Sequence, residues 1–362
     1  MKSLKTKFLP MKKIIGFLFF MAIFSLLSNS QEISIKPVLR FNQNGKFKIV
    51  QFTDIHFQYD SFRSDSALML MKTVIEKEEP DLVVLTGDVV TSENASRGWL
   101  SLSKIMIDAQ VPWAVVTGNH DPEFKNGITK KEIMETIVEL PYNLTERGPE
   151  DISGEGNYIL EVKSSESNKI AALLYFIDSQ MYPEKDLGTY DWIQFDQIAW
   201  YREQSNAYSI KNDFNPYPAL AFFHIPLPEY KEIIGQKTTY GIMKEKVCSP
   251  DLNSGMYTSM LECKDVMGMF VGHDHDNNYI GCLRGICLAY GNVTGRECYG
   301  KIGRGARVIE LYEGARKFDT WILKLYNCDR DKDLWEPTND YQKKFFVIYP
   351  DSFEVDARKE NE

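Results

Sequence analysis

The chain has 362 residues, of which 43% are hydrophobic and 26% charged, and its formal net charge is −9. This composition is that of an ordinary globular protein with room for one large core, and no repeat or low-complexity segment is present. The acidic balance disfavours broad binding to nucleic acids or anionic membranes, because basic surfaces recognise those partners.

The N-terminal 30 residues have the order of a secretory signal. Five lysines precede an apolar run from Ile14 to Leu27, and small or polar residues 28–30 follow. The run is shorter than the roughly 20 residues that span a bilayer, so an uncleaved membrane anchor is the weaker alternative and no stable membrane span is expected. We predict export to the periplasm or the extracellular space, with cleavage near Ser30. Cleavage removes five positive charges and no negative one, which moves the net charge from −9 to −14.

The first half of the mature chain predicts alternating strands and helices. Strands are expected at 47–53, 81–86 and 112–117, with helices at about 65–79 and 97–109 between them. Repeated βαβ units of this length predict a parallel sheet with right-handed crossovers.

The second half predicts a hairpin and then more mixed structure. The expected elements are strands 157–162 and 170–178, helix 193–206, strand 218–223, loop 235–255, helix 256–263 and strand 266–271. Four short apolar runs follow without helices between them, which suggests a second, antiparallel sheet. We therefore predict an α/β fold, a four-layer α/β/β/α sandwich of two mixed β-sheets flanked by helices. One domain would cover residues 31–345, with a C-terminal tail at 346–362.

All six cysteines lie in the last third of the chain. They are Cys248, Cys263, Cys282, Cys287, Cys298 and Cys328. An even number in an exported protein is consistent with disulfides, and free buried thiols are an equal alternative. A cysteine metal site is disfavoured because the chain has no C-x-x-C pair.

Five short polar motifs, which contain all five histidines, each directly follow an apolar run. They are Asp54-Ile55-His56, Gly87-Asp88, Gly118-Asn119-His120-Asp121, His224 and Gly272-His273-Asp274-His275. Buried strands have such apolar runs, and ligands of open α/β sheets gather beyond the carboxyl ends of the strands. The pattern predicts one metal-centred active site.

The residue types in these motifs favour Zn, Fe or Mn over Ca or Mg, because imidazole and carboxylate occur together. The candidate ligands are Asp54, His56, Asp88, Asn119, His224, His273 and His275. Seven side chains suffice for two ions if one carboxylate bridges them, and Asp88 is favoured because Gly87 leaves room beside it. We expect one ion between Asp54, His56, Asp88 and His275, and the other between Asp88, Asn119, His224 and His273.

In their order from Asp54 to His275, these motifs resemble those of the calcineurin-like metallophosphoesterases, over roughly residues 47–311. The segment AFFHIPLPEY resembles most the small purple-acid-phosphatase-like branch. The resemblance implies the same division of ligands between two ions. The chain departs from true purple acid phosphatases at one position. Their metal-binding tyrosine lies three residues after the Gly-Asp carboxylate, and this chain has Thr91 there. His56 would take its place, so no purple colour is expected.

Two cations against two carboxylates would leave a positive pocket, which attracts phosphate oxygens and stabilises a phosphoryl transition state. Water that bridges the ions loses a proton near neutral pH and becomes the nucleophile. His120 is the predicted general acid, oriented by Asp121. We therefore predict an exported phosphatase whose substrates are phosphate esters, monoesters above all.

Two alternatives differ from this prediction. A phosphodiesterase or nucleotidase of the same superfamily would share the centre and differ in the surrounding loops. A secreted, non-enzymatic metal-binding protein is less favoured, since closed structural sites prefer Cys and His. Four basic residues, Arg296, Lys301, Arg304 and Arg307, are candidates for phosphate contact, although a solvated loop is the favoured interpretation. The pattern indicates no oligomeric state.

Overall fold

The computed structural model describes residues 36–329 except 124, 126 and 185, and also the short segments 334–337, 347–348 and 355–356. Side chains are described as far as residue 324. The predicted signal segment and most of the predicted tail lie outside the described residues, and the predicted domain bounds stay a prediction. Within the described part, no helix has the length and hydropathy that crossing a membrane requires.

The described residues form strands and helices close to the predicted ones. The strands are β1 (Lys46–Phe52), β2 (Leu82–Thr86), β3 (Trp113–Val116), β4 (Tyr158–Lys163), β5 (Ile170–Phe176), β6 (Ala219–Phe222), β7 (Val266–Val271), β8 (Ile280–Leu283), β9 (Ile286–Tyr290), β10 (Arg304–Tyr312), β11 (Phe318–Asp329), β12 (Leu334–Pro337), β13 (Val347–Ile348) and β14 (Val355–Asp356). The helices are α1 (Phe62–Glu78), α2 (Ala95–Asp108), α3 (Lys130–Ile137), α4 (Phe195–Lys211), α5 (Met256–Cys263) and a 3₁₀ helix at Pro228–Lys231.

Two six-stranded sheets carry the fold. The first has the order β12-β11-β10-β1-β2-β3, and the second has the order β4-β5-β6-β7-β9-β8. Strands β1, β2 and β3 are parallel, as are β5, β6, β7 and β9, whereas the remaining neighbours in both sheets are antiparallel. Both sheets are therefore mixed, and the predicted four-layer α/β/β/α sandwich is confirmed.

The last four predicted strands do not form a sheet of their own, and this expectation is wrong. Strands β8 and β9 extend the second sheet, where β9 pairs in parallel with β7. Strands β10 and β11 extend the first sheet through an antiparallel pairing of β10 with β1. Local apolar patterns identify strands but not their partners, because pairing is decided by long-range packing.

Helix α3 was not predicted, although its N-terminus carries a recognisable signal. The Thr129 side chain accepts from the Glu132 backbone N–H, and the Glu132 carboxylate accepts from the Thr129 backbone N–H. This reciprocal arrangement satisfies two amides that the first turn otherwise leaves unpaired. A Thr three residues before a Glu was the pattern that would have located the helix.

Alternation along the strands separates the layers. In β2, Val83 and Leu85 pack in a cluster with residues of helices α1, α2 and α3. Leu82 and Val84, on the opposite face, pack in the cluster between the two sheets. The outer face of the second sheet packs with α4 and α5. Each buried aliphatic side chain contributes about 1.5–3 kcal/mol relative to exposure, so this alternation fixes which strand face meets which layer.

The cysteines divide between the two alternatives. Cys282 and Cys287, which are directly paired residues of β8 and β9, form a disulfide. Cys248, Cys263 and Cys298 are free thiols. The side chain of Cys328 lies outside the described residues.

Candidate metal centre

The five sequence motifs meet at one edge of the sandwich. Asp54 and His56 follow β1, Asp88 follows β2, Asn119 follows β3, His224 follows β6, and His273 and His275 follow β7. Two of the contacts join these loops: the His273 N–H lies 3.1 Å from the Asp54 Oδ1, and the Gly272 N–H donates to the His224 carbonyl over 3.1 Å. Parallel strands of both sheets thus bring the seven predicted ligands together, as the pattern predicts.

The backbone is unusual at several of these residues. Asp54, His56, Asp88 and His273 have φ values of 51°, 46°, 50° and 79°, in the left-handed region. Residues other than glycine rarely adopt this conformation, and it costs on the order of 1–3 kcal/mol each. Strain of this kind is concentrated where function requires a particular side-chain direction.

Two glycines allow the close approach of the strand ends. A Cβ atom at Gly118 would lie 2.2 Å from the Asp88 Oδ1, and one at Gly87 would lie 2.4 Å from the His224 Nδ1. Any side chain at either position would displace a candidate ligand. The sequence suggested that Gly87 leaves space beside Asp88. The structure shows that the absence of a side chain is required at both Gly87 and Gly118.

The first group of candidate ligands contains Asp54, His56, Asp88 and His275, which offer one ligand atom each within 4.8 Å of one another. The His275 Nε2 lies 3.4 Å from the Asp54 Oδ1, and the His56 Nε2 lies 3.7 Å from the Asp88 Oδ2. Two ligand atoms at 2.0–2.2 Å from one tetrahedral ion are about 3.4 Å apart. The spacing therefore fits a shared cation.

The second group contains Asp88, His224 and His273. The His224 Nε2 lies 3.1 Å from the Asp88 Oδ2 and 3.3 Å from the His273 Nδ1. Asp88 thus belongs to both groups through the same oxygen, while its Oδ1 accepts from the His120 backbone N–H over 2.8 Å. One carboxylate oxygen is positioned between two possible cation positions.

Unpaired atoms support this interpretation. The His56 Nε2, Asn119 Oδ1 and His273 Nε2 are buried and make no hydrogen bond. A buried polar atom without a partner costs about 1–3 kcal/mol, so three at one centre call for a partner. Since each is a nitrogen or oxygen with an electron pair to offer, the donor set fits divalent or trivalent metal ions.

Outer hydrogen bonds fix the direction of two imidazoles. The His224 Nδ1 lies 2.8 Å from the Thr86 carbonyl, and the His275 Nδ1 lies 3.1 Å from the Tyr299 carbonyl. A carbonyl only accepts, so each Nδ1 is the protonated nitrogen that donates. The two Nε2 atoms then face the centre, which is the usual arrangement behind metal-binding histidines.

Burial and charge set the protonation of the imidazoles before any cation binds. Burial lowers the pKa of His56 to about 3 and that of His273 to about 3, so both rings are neutral at pH 7. Burial acts the same way on His224, but the Asp88 charge outweighs it and raises the pKa of His224 to about 9. A cation would displace the His224 proton and take over its role of balancing Asp88.

His120 lies beside the two groups rather than in them. Its side chain is 36% exposed, and its ring centroid lies 5.5 Å from that of His56. The carboxylate in contact with its Nδ1 is that of Glu123, with Oε1 at 2.5 Å. The Nδ1 of His120 is therefore held by the Glu123 carboxylate.

Asp121, which the sequence assigned to orient His120, has another set of partners. Its Oδ1 accepts from the Val89 and Val90 backbone N–H groups at 2.8 and 2.9 Å, and its Oδ2 accepts from Gly118 at 2.8 Å. These bonds tie the loop after β3 to the loop after β2. The orienting acid of His120 is accordingly Glu123, and Asp121 holds the backbone around Asp88.

The sequence did not identify three tyrosines at the centre. The Tyr182 hydroxyl accepts from the Asn119 Nδ2 over 2.9 Å, the Tyr190 ring meets the His273 ring at 4.5 Å, and the Tyr299 ring stacks on His275 at 4.0 Å. Tyr182 and Tyr190 lie in the loop after β5. Strand β5 is parallel to β6, so the carboxyl ends of both strands reach the same edge of the sheet. Their position after the apolar run of β5 was the signal that would have identified the two tyrosines.

Two arginines proposed as phosphate contacts have a different role. Arg304 and Arg307 are each 1% exposed, lie in β10 and donate to backbone carbonyls, so the favoured solvated-loop interpretation and the phosphate-contact alternative are both wrong for them. Arg304 donates to the Gly295 carbonyl over 2.6 Å and to the Tyr299 carbonyl over 3.1 Å. It thereby supports the same carbonyl that orients His275.

Replacement of Arg304 by methionine is expected to lower the free energy of unfolding by about 3 kcal/mol, because several buried carbonyls lose their donor. Urea unfolding measures the change. A matched control is Arg202→Met, which removes an exposed arginine paired with Glu262 over 2.6 Å and is expected to cost about 0.5 kcal/mol. Equal losses in the two variants would contradict the supporting role of Arg304.

The two-sheet sandwich and its cluster of carboxylates and imidazoles define a candidate dinuclear metal protein. A family model described as calcineurin-like phosphoesterase matches residues 47–277. The chain belongs to this family, and the resemblance seen in the motifs is confirmed.

Relatives and solved structures agree with this family. The chain is 33% identical over 336 residues to "Probable inactive purple acid phosphatase 29" of Arabidopsis thaliana, covering 82% of this chain and 85% of the relative. It is 34% identical over 312 residues to "Phosphatase DCR2" of Saccharomyces cerevisiae, covering 76% of this chain and 52% of that protein. The fold is similar to a dimetal phosphatase from Danio rerio, with a TM-score of 0.54, 14% identity, and coverage of 77% of this chain and 96% of the other.

Proposed function

We propose that this chain is an exported, dinuclear metal-dependent phosphatase that hydrolyses phosphate monoesters. The observation that carries the proposal is the Asp88 Oδ2, which is buried and lies close to histidines of both groups of candidate ligands. An oxygen in this position suits a bridge between two cations, and a pair of cations suits phosphoryl transfer.

Each group supplies ligands for one ion. One ion would be held by Asp54, His56, Asp88 and His275, and the other by Asp88, Asn119, His224 and His273, as the sequence predicts. When bound, two such ions neutralise phosphate charge and make water a strong nucleophile near neutral pH. Iron, zinc and manganese all suit the donor set.

We assign His120 the role of general acid. Its Nδ1 contacts Glu123, and its Nε2 would donate the proton to the leaving oxygen. The contact with the Glu123 carboxylate holds the ring in place beside the two groups of candidate ligands. Proton donation of this kind contributes about 10²–10⁴-fold to rate, most of all for esters with basic leaving groups.

The names of relatives point both ways on activity. One of them is called a phosphatase and others are called probably inactive. A complete set of candidate ligands, together with a histidine that an acid orients beside it, favours an active enzyme in this chain.

Metal removal tests the proposal. Purified protein is expected to contain about two metal ions per chain by elemental analysis and to hydrolyse p-nitrophenyl phosphate. Treatment with a chelator should abolish hydrolysis, and return of iron, zinc or manganese should restore it. Metal without hydrolysis across monoesters, diesters and nucleotides would instead indicate a metal-binding protein. Faster turnover of a diester or nucleotide would place the chain with the alternative esterases.

A further inference from the structure

Tyr182 and Tyr190 form an aromatic surface on one side of the metal centre. Tyr182 approaches through its hydroxyl, 2.9 Å from the Asn119 Nδ2, and Tyr190 through its ring, perpendicular to that of His273 at 4.5 Å. The two tyrosine rings are 6.1 Å apart and inclined by 29°. Both belong to one loop, so the surface is a single structural feature.

Tyr182 differs from its surroundings in exposure. The side chains of Asn119 and Asp88 are fully buried, whereas Tyr182 is 48% exposed. Tyr299 on the other side is also exposed, but its ring is stacked on His275 at 4.0 Å and its hydroxyl donates to Glu245 over 2.5 Å. Tyr182 is therefore an aromatic side chain at the centre with surface left to receive a ligand.

Tyr182 also lies on the side of the general acid. Asn119, its hydrogen-bond partner, directly precedes His120 in the chain. A leaving group that takes its proton from His120 would then lie on the Tyr182 side of the centre.

We propose that the Tyr182 ring, which packs against the Tyr190 ring, stacks on the leaving group of the substrate. This proposal rests on the proposed function. The enzyme then prefers phosphate monoesters whose leaving alcohol carries a planar aromatic ring next to the ester oxygen. Offset stacking between aromatic rings contributes a preference of roughly 2- to 12-fold beyond ordinary apolar burial. The Tyr182 hydroxyl has a separate role, since it turns the Asn119 amide so that Oδ1 faces the centre.

The test uses two substrates that differ in planarity and little else. Benzyl phosphate and cyclohexylmethyl phosphate have leaving alcohols of similar size and basicity, and only the first is aromatic. The expected ratio of their kcat/KM values in the unaltered enzyme is about fivefold in favour of benzyl. Tyr182→Leu should bring the ratio close to one, and Tyr182→Phe, which keeps the ring, should retain it.

Two further variants make the result specific. Tyr190→Leu leaves the Asn119 hydrogen bond in place and should lower the same ratio, which carries the test even if Tyr182→Leu loses metal. Phe214→Leu removes an aromatic side chain that is 76% exposed just beyond the far end of α4 and should leave the ratio unchanged. Elemental analysis of every variant reports the metal content alongside the ratio.

A binding measurement separates this proposal from the proposed function. Benzylphosphonate and cyclohexylmethylphosphonate have a carbon–phosphorus bond in place of the ester linkage and are not hydrolysed. Calorimetry can therefore compare their affinities without turnover. Tighter binding of benzylphosphonate that is lost in Tyr182→Leu supports stacking, even if the unaltered protein hydrolyses no ester. Equal affinities and equal rates for both members of each pair, or a ratio that survives Tyr182→Leu, would overturn it.

Discussion

Replacement of Asp88 by asparagine is expected to empty both metal positions and to lower kcat/KM by about 10³-fold or more. The reason is that the Asp88 Oδ2 is shared by the two groups of ligands, at 3.7 Å from the His56 Nε2 and 3.1 Å from the His224 Nε2. Loss of this one charge weakens both positions together. Elemental analysis and hydrolysis of p-nitrophenyl phosphate, measured on the same preparation, report the two effects.

Asparagine is the suitable replacement because it preserves the backbone. Asp88 has a φ of 50°, and asparagine tolerates this left-handed conformation better than alanine does. The amide oxygen can also continue to accept from the His120 N–H, as the Asp88 Oδ1 does over 2.8 Å. The variant therefore changes charge and ligand strength more than shape.

Asp213→Asn is the matched control. Asp213 has a φ of 54°, close to that of Asp88, but it is exposed in the turn after α4. Its replacement should change neither metal content nor rate by more than about twofold, because surface substitutions have small effects. If Asp88→Asn retained two metals and half of its activity, the bridging role would be wrong.

Replacement of His120 by glutamine is expected to keep both metals and to reduce turnover according to the leaving group. For alkyl phosphates, whose leaving oxygens need a proton, the loss should be about 10²–10⁴-fold. For p-nitrophenyl phosphate, whose leaving group is stable as an anion, the loss should be below about tenfold. The measurement is kcat/KM over a series of monoesters of increasing leaving-group basicity.

Metal retention follows from the way His120 is connected. Its backbone N–H donates to Asp88, while its side chain contacts Glu123 and stays 36% exposed outside both ligand groups. The backbone contact with the candidate bridge is preserved by glutamine. Loss of metal in His120→Gln would show that the ring is part of the metal site and refute its role as general acid.

Glu123→Gln separates the orienting acid from the proton donor. The variant removes the charge that holds the His120 Nδ1 at 2.5 Å and should slow alkyl phosphates by about tenfold, since hydrogen bonds to charged groups are worth about 1.5–3 kcal/mol. We expect the rate loss in Glu123→Gln to be smaller than that in His120→Gln.

Asp121→Asn, by contrast, should lower the stability of the fold, because Asp121 accepts from three backbone amides around Asp88.

Fold class and candidate ligands were within reach of sequence reasoning for a definite reason. Short-range patterns carry them: a continuous apolar run identifies β2, and polar residues directly after an apolar run identify Asp88 and His224 as strand-end groups. Carboxyl ends of parallel strands converge whatever the loops do. The seven candidate ligands could therefore be grouped without knowledge of any distance.

The partners of the last strands and of the second-layer side chains were not within reach. Strand β10 pairs with β1 across more than 250 residues of chain, and nothing local to either strand specifies that pairing. Glu123 and Asp121 are equally plausible acids for His120 in sequence, and only the path of the loop decides between them. The two arginines of β10 look like surface cations until their burial is known.

What the sequence determined by itself was the chemistry available: which candidate ligands exist, how many there are, and that strand ends would gather them. What only the tertiary structure decided was direction: which oxygen of Asp88 faces both groups, which acid holds His120, and which tyrosine has an open surface. The physical reason is that residue type and periodicity follow from local order along the chain. Side-chain direction depends on packing between loops that are far apart in sequence.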